Sequence, residues 1–198
     1  MSQITSVLYW ISTGLMVPVM VFLLYFFVNA LWQIGRFYGQ YIQRRRLHRQ
    51  LSEALDELPL NEWLSRTAAL PKASDSALCR YAGLLHSAAG DAPLLEKRLG
   101  DYEVEADREL GRSKLLVKIG PILGLMGTLI PMGPALLGLA TGDVASMASN
   151  MQVAFATTVI GLIIGAVGFI TLQVRQRWVA EELNLLEYVA EKLKGGLA

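Results

Sequence analysis

Hydrophobic positions in this chain fall in three long blocks rather than in alternation. The blocks cover about Val7–Gly35, Leu115–Ala140 and Gln152–Gln173, and none contains a carboxylate. Each exceeds the roughly 20 residues that cross a ~30 Å hydrocarbon core at ~1.5 Å per residue. The pattern predicts an integral membrane protein with three transmembrane helices. Outside the blocks, apolar residues recur at spacings of three and four. Tyr38, Tyr41, Ile42, Leu51, Leu55 and Leu58 continue the first helix until Pro59 stops or bends it. A short helix is expected around 60–70, ending before Pro71, and another over 75–89 on Leu78, Tyr81, Ala82 and Leu85. Asp91 is the expected N-cap of a long helix. Its stripe of Leu95, Leu99, Tyr102, Ala106 and Leu110 runs on into the second block. After the third block, Val179, Leu183, Leu186, Ala190 and Leu193 form a short heptad seam that ends at Gly195-Gly196. No segment carries a period of two. The expected fold is all-α, three transmembrane helices extended into a cytoplasmic helical region.

Charge placement orients this bundle. Net charge is only +1, but every Lys and Arg lies in Arg36–Lys118 or after Gln173. Arg36, Arg44, Arg45, Arg46 and Arg49 follow the first block, Arg108, Arg112, Lys114 and Lys118 flank the second, and Arg175 and Arg177 follow the third. The positive-inside rule then puts the N-terminus outside and the C-terminus in the cytoplasm. The expected organisation is 1–35, an outward tail and first span; 36–114, cytoplasmic helices; 115–140, the second span; 141–151, an outward-facing turn; 152–174, the third span; and 175–198, a cytoplasmic C-terminal helix. The first block lacks a basic n-region and is too long for a signal peptide's apolar core, so it reads as a retained anchor. Composition agrees with a membrane chain: of 198 residues 53% are hydrophobic and 18% charged, against about 25% charged in soluble domains. The single cysteine, Cys79, rules out an internal disulfide. The Arg44-Arg45-Arg46 run has no base-reading motif beside it, so topology setting and contact with anionic headgroups explain it better than nucleic acid.

The spans carry little chemistry of their own. The third has Ala154, Thr158, Gly161, Gly165 and Gly168 at spacings of four and three, hence on one face; the second has Gly120, Gly124, Gly127, Pro131, Ala135 and Gly138 in a similar stripe, with Thr128 beside it. In lipid, close approach through small residues is a main source of helix association. Such stripes pack spans two and three within one subunit or between subunits. Thr128, Thr157 and Thr158 are among their few polar side chains. A threonine hydroxyl both donates and accepts, although it often only bonds a carbonyl one turn back. Pro131 and Pro134 free the carbonyls of Gly127 and Ile130 and are expected to kink the outer half of span two. The freed carbonyls line a wet cavity or are satisfied by nearby hydroxyls. His48 and His86 stand apart, and no nucleophile–base pair, phosphate loop or metal spacing appears, so no enzyme, cofactor or metal site is expected.

Two segments carry a resemblance. Pro121-Ile-Leu-Gly124-Leu-Met-Gly127-Thr128-Leu resembles the second-span signature of the MotA/TolQ/ExbB proton channel family. Ala154-Phe-Ala-Thr157-Thr158-Val-Ile-Gly161-Leu162 is similar to its third-span signature. The three-span layout matches the ExbB/TolQ branch. The resemblance implies a homopentamer in a bacterial or archaeal cytoplasmic (inner) membrane whose second and third spans surround an ExbD/TolR/MotB-like single-span partner. That partner supplies the ion-binding aspartate, and proton or sodium flow drives mechanical work or transport. Thr128 and Thr158, with Thr157 adjacent, match the family's threonines facing the aspartate, while Gly124, Gly127, Ala154, Gly161 and Gly165 serve helix packing. Many ExbB and TolQ chains carry a glutamate just before the third-span run; here Gln152-Val153 stands instead. The alternatives are a passive scaffold assembling partners without ion flux, and a small-molecule carrier, which usually shows internal repeats and midplane polar sites.

Overall fold

The computed structural model describes residues 2–57, 62–63 and 77–195, without the side chains of 2, 5, 6, 8, 9, 12, 40, 43 and 45–57. The described residues are helical throughout apart from short turns. They form α1 (Ser2–Glu57), α2 (Ala77–Ser87), α3 (Ala92–Thr141) and α4 (Val144–Lys194). Parts of α1, α3 and α4 are long and apolar enough to cross a membrane, which bears out the all-α, three-span expectation. The helix expected at 60–70 and the stop at Pro59 lie outside the described residues, except that Glu62 and Trp63 are helical.

Capping chemistry sets the breaks. Gly90, at φ 86°, ends the turn after α2. Asp91 then caps α3, its Oδ1 accepting from the Leu94 N–H at 3.1 Å. The α3–α4 break is a Schellman motif on Gly142, at φ 75°. The Asp143 N–H donates to the Gly138 carbonyl at 2.8 Å, and the Gly142 N–H to that of Leu139 at 3.2 Å. Asp143 doubles as the next N-cap, accepting from the Ser146 N–H at 3.0 Å. The helix therefore resumes at Val144, and the turn expected over 141–151 narrows to Gly142 and Asp143. Nothing in Val144–Met151 breaks a helix once its first N–H groups are capped. Pro18, Pro121, Pro131 and Pro134 all sit inside continuous helices.

The chain divides into two compact units. The first comprises Met1–Arg36 and Arg112–Leu172. Its core joins Val19, Leu23 and Ala30 of α1 to Leu116 and Leu123 of α3 and Ile164 and Val167 of α4. Most other large side chains of these segments, such as Val21, Leu125, Leu129, Phe155 and Leu162, are exposed, as befits surfaces that meet lipid or other helices.

The second unit comprises Phe37–Gly111 and Gln173–Ala198. Trp63, Leu78, Tyr81, Leu85, Leu95, Tyr102, Leu186, Val189 and Leu193 make a core packed as in a soluble helical bundle. Burying each large side chain contributes about 1.5–3 kcal/mol before entropy. Most of the α3 stripe and of the α4 seam read from the sequence lies in or against this core. Arg44 belongs here as well. Its guanidinium contacts Glu182 at 3.4 Å and Glu109 at 3.2 Å and lies over the Trp178 ring. Trp178 stacks on Phe37 with centroids 5.5 Å apart. The headgroup contact expected of the Arg44–Arg46 run is thus replaced at Arg44 by ion pairs, because α3 and α4 bring carboxylates within its reach; the side chains of Arg45 and Arg46 lie outside the described set.

Tyr102 is buried and donates to Glu182 Oε2 at 2.8 Å. Burial, with the Glu182 carboxylate beside it, holds this phenol protonated well above its ordinary range. An unfolded tyrosine ionises near pH ~10. The stability tied to this group is therefore complete below about pH 10 and is lost as pH rises beyond it, where the unfolded chain releases a proton that the fold retains. Melting temperatures of the purified protein from about pH 8 to 11 should fall more steeply for the wild type than for Tyr102→Phe. Parallel slopes would remove Tyr102 from the alkaline loss.

Candidate functional site: the hydroxyl-bearing face of the α3–α4 hairpin

The glycine stripes of α3 and α4 meet each other within the chain. A Cβ on Gly161 would lie 2.6 Å from the Gly120 carbonyl oxygen and 2.7 Å from the Gly124 Cα. A Cβ on Gly120 would sit 2.7 Å from the Gly161 oxygen and the Gly165 nitrogen. Gly165 takes the Pro121 ring, and Gly168 lies against Leu116 and Val117. Gly127 faces Thr157, whose Cβ and Oγ1 would each be 2.6 Å from an added methyl. At Gly120, Gly124 and Gly161 the seam has no room for a side chain because backbone meets backbone, and contact at that distance is a main attraction available in lipid. Ala154 and Pro131 are buried, and Pro134 is half-buried.

The three threonines divide between this seam and its margin. Thr157 is buried within it; Thr128 and Thr158 are half-exposed beside it. All three hydroxyls donate to their own helices. Thr128 Oγ1 bonds the Leu125 carbonyl at 2.7 Å. Thr158 Oγ1 bonds that of Ala154 at 3.0 Å, and Thr157 Oγ1 reaches those of Val153 and Ala154 at 3.1 and 2.9 Å. With its proton so engaged, each exposed hydroxyl offers lone pairs: it accepts from water or from a protonated acid. It binds a carboxylate only by turning away from its own carbonyl.

Position along the hairpin pairs Thr128 with Thr158. Each is fifteen residues from Asp143 in an antiparallel pair, so both stand about 22 Å from the turn. Around the helices they also agree. At ~100° per residue, Thr128 lies about 140–160° from Leu123 and Ile130, and Thr158 about 160–180° from Ile160 and Val167. Those four residues belong to the cluster that includes α1. The two hydroxyls therefore share the face of the hairpin that α1 leaves uncovered. Exposed Leu125, Phe155 and Leu162 surround them. Among the described residues no side chain donates to the Gly127 and Ile130 carbonyls that Pro131 and Pro134 deprive of their helical partners.

A second polar cluster was not anticipated. Gln33 Nε2 donates to Ser113 Oγ and to Thr171 Oγ1, both at 2.9 Å, joining three helices of the first unit. Ser113 and Thr171 are almost wholly buried. The available signal was an amide within the first apolar block, since such a group in lipid needs partners. Which partners it finds depends on residues 80 and 138 positions away.

The comparisons with known proteins bear on this hairpin. Among curated proteins, no sequence matches the chain. The sequence model of the MotA/TolQ/ExbB proton channel family matches residues 80–188. That match takes in both threonine-bearing segments and extends past them into the polar parts of α3 and α4, and it reaches more than half of the chain's 198 residues. On that extent, and with three apolar helices of membrane-crossing length, the protein belongs to the MotA/TolQ/ExbB proton channel family.

Proposed function

We propose that this chain is the ExbB/TolQ-like subunit of an ion-motive-force-driven complex in a bacterial or archaeal inner membrane, with its N-terminus outside and its C-terminus in the cytoplasm. Several copies, most simply five, surround a single-span ExbD/TolR/MotB-like partner that brings the ion-binding aspartate. One observation carries the reading. The membrane segments hold no ionisable side chain between Ile119 and Leu172 except Asp143 at the turn, and none in Met1–Gly35 apart from Tyr9 and Tyr25. Yet two hydroxyls stand at equal height on an uncovered face. A proton path lined in this way needs a titrating group from elsewhere. In its neutral form the partner's acid donates to Thr128 or Thr158, whose lone pairs face outward. In its ionised form it requires one hydroxyl to rotate and donate. Alternation between the two links protonation to the side of the corridor that the acid occupies. Ion flow through the corridor then drives motion of one component within the other.

Co-expression with a candidate partner and measurement of cytoplasmic acidification tests this. Thr158→Val, which keeps shape and loses the hydroxyl, should lower the flux about tenfold, the effect of one hydrogen bond to a charged group. Asp→Asn in the partner should abolish it. Flux unchanged in both variants would sink the proposal, and a complex that assembles yet never conducts would make the chain a scaffold.

A further inference from the structure

Arg36 differs from Arg44, the other arginine of α1 whose side chain is described. Arg44 is held by Glu109 and Glu182, whereas Arg36 has no carboxylate partner among the described residues. Its one charge or ring interaction among the described residues is with Trp32, a turn earlier, with the guanidinium carbon 5.2 Å from the ring centroid. Trp32 is 62% exposed, and its indole N–H meets no acceptor among the described residues. Gly35, between them on the same surface, has nothing within 4 Å of where a Cβ would be. Two unpartnered donors, an apolar ring and open space thus share one turn of helix.

The place of this turn indicates what fills it. It lies on the side of α1 away from Val19, Leu23 and Ala30, which face the other helices. Trp10, 73% exposed, precedes Trp32 by twenty-two residues of continuous helix, a rise of about 33 Å. Two exposed tryptophans at that separation match the two edges of a ~30 Å hydrocarbon core. Arg36 then stands at headgroup depth. The first unit, Met1–Arg36 with Arg112–Leu172, offers it no carboxylate within reach: its one acidic residue, Asp143, is at the far end of the hairpin. From this charge complementarity we propose that Trp32 and Arg36 form a seat for an anionic phospholipid. Arg36 holds the phosphodiester, the Trp32 N–H reaches the headgroup or the ester oxygens below it, and the ring packs on the acyl chain.

Native mass spectrometry of the full-length protein tests the seat. Phosphatidylglycerol and phosphatidylcholine of identical chains are titrated separately, with soluble glycerophosphate as a third probe. The wild type should retain phosphatidylglycerol over phosphatidylcholine and ignore glycerophosphate. Arg36→Gln should lower phosphatidylglycerol retention about fivefold, Arg36→Lys should keep most of it, and Trp32→Phe should lower it by about half. Equal retention of phosphatidylglycerol by wild type and Arg36→Gln overturns the proposal. So does equal retention of the two lipids by the wild type, or binding of glycerophosphate, which would make the seat a simple phosphate site. Should Arg36→Gln fail to insert, Trp32→Phe decides: retention equal to wild type overturns the proposal.

Discussion

Gly161→Leu should leave almost no correctly assembled protein in the membrane. The expected result follows from what surrounds the missing side chain. The three atoms nearest an added Cβ are the Gly120 oxygen at 2.6 Å, the Gly124 Cα at 2.7 Å and the Gly124 nitrogen at 2.9 Å, all backbone of α3. A flexible neighbour would yield by changing rotamer; a helix backbone yields only by moving the whole helix. Overpacking a core typically costs about 1–3 kcal/mol, and here separating the helices also forfeits the contacts of Gly120, Gly124, Gly127 and Gly165 along the same seam. Gly133→Leu is the fitting control, since nothing lies within 4 Å of a Cβ there. Yield, size-exclusion profile and melting temperature in detergent report both variants. An oligomer of ordinary size and stability from Gly161→Leu would show that the seam is not the contact it is described to be.

The second large effect belongs to Glu182. Its side chain is 9% exposed and meets Arg44 at 3.4 Å and the Tyr102 hydroxyl at 2.8 Å. Glu182→Ala leaves the Arg44 guanidinium with Glu109 alone and removes the acceptor of a buried phenol. Breaking a buried pair on one side costs about 3–5 kcal/mol; because Arg44 is 30% exposed, the lower end applies. A fall in melting temperature on the order of 10 °C is expected. Glu182→Gln keeps an acceptor for Tyr102 and should fall less. The double variant Arg44→Met/Glu182→Leu should recover much of the loss, since apolar residues of similar size often replace a buried ion pair without penalty. A double variant no more stable than Glu182→Ala would mean that the pair matters for geometry rather than for charge compensation.

These two cases mark what was legible in the sequence. The glycines of α3 and α4 were visible as faces, because helical spacing is a local property of the chain. That these faces meet one another within a subunit was left open, since either packing satisfies the same spacing. The α3 stripe Leu95–Leu110 and the α4 seam were readable for the same local reason. The Arg44–Glu182–Tyr102 network and the Gln33–Ser113–Thr171 cluster were not, because their partners are 58 to 138 positions apart and no periodicity links them. At the candidate site, sequence distinguished threonine from glycine but not Thr157, enclosed in the seam, from Thr128 and Thr158 at its margin. The helix over Val144–Met151 went unread because its signal is one cap: Asp143 serves both the end of α3 and the start of α4.

That two-residue break also simplifies how the chain reaches its place. A hairpin entering a bilayer must carry its tip across, and each ionised side chain taken through hydrocarbon is expensive. Here the tip presents the Gly142 backbone and the single carboxylate of Asp143. The Schellman bonds and the Asp143 cap satisfy the Gly142, Asp143 and Ser146 N–H groups at the bend. In the orientation proposed above, carrying the tip of residues 119–172 across takes a single acid through the hydrocarbon.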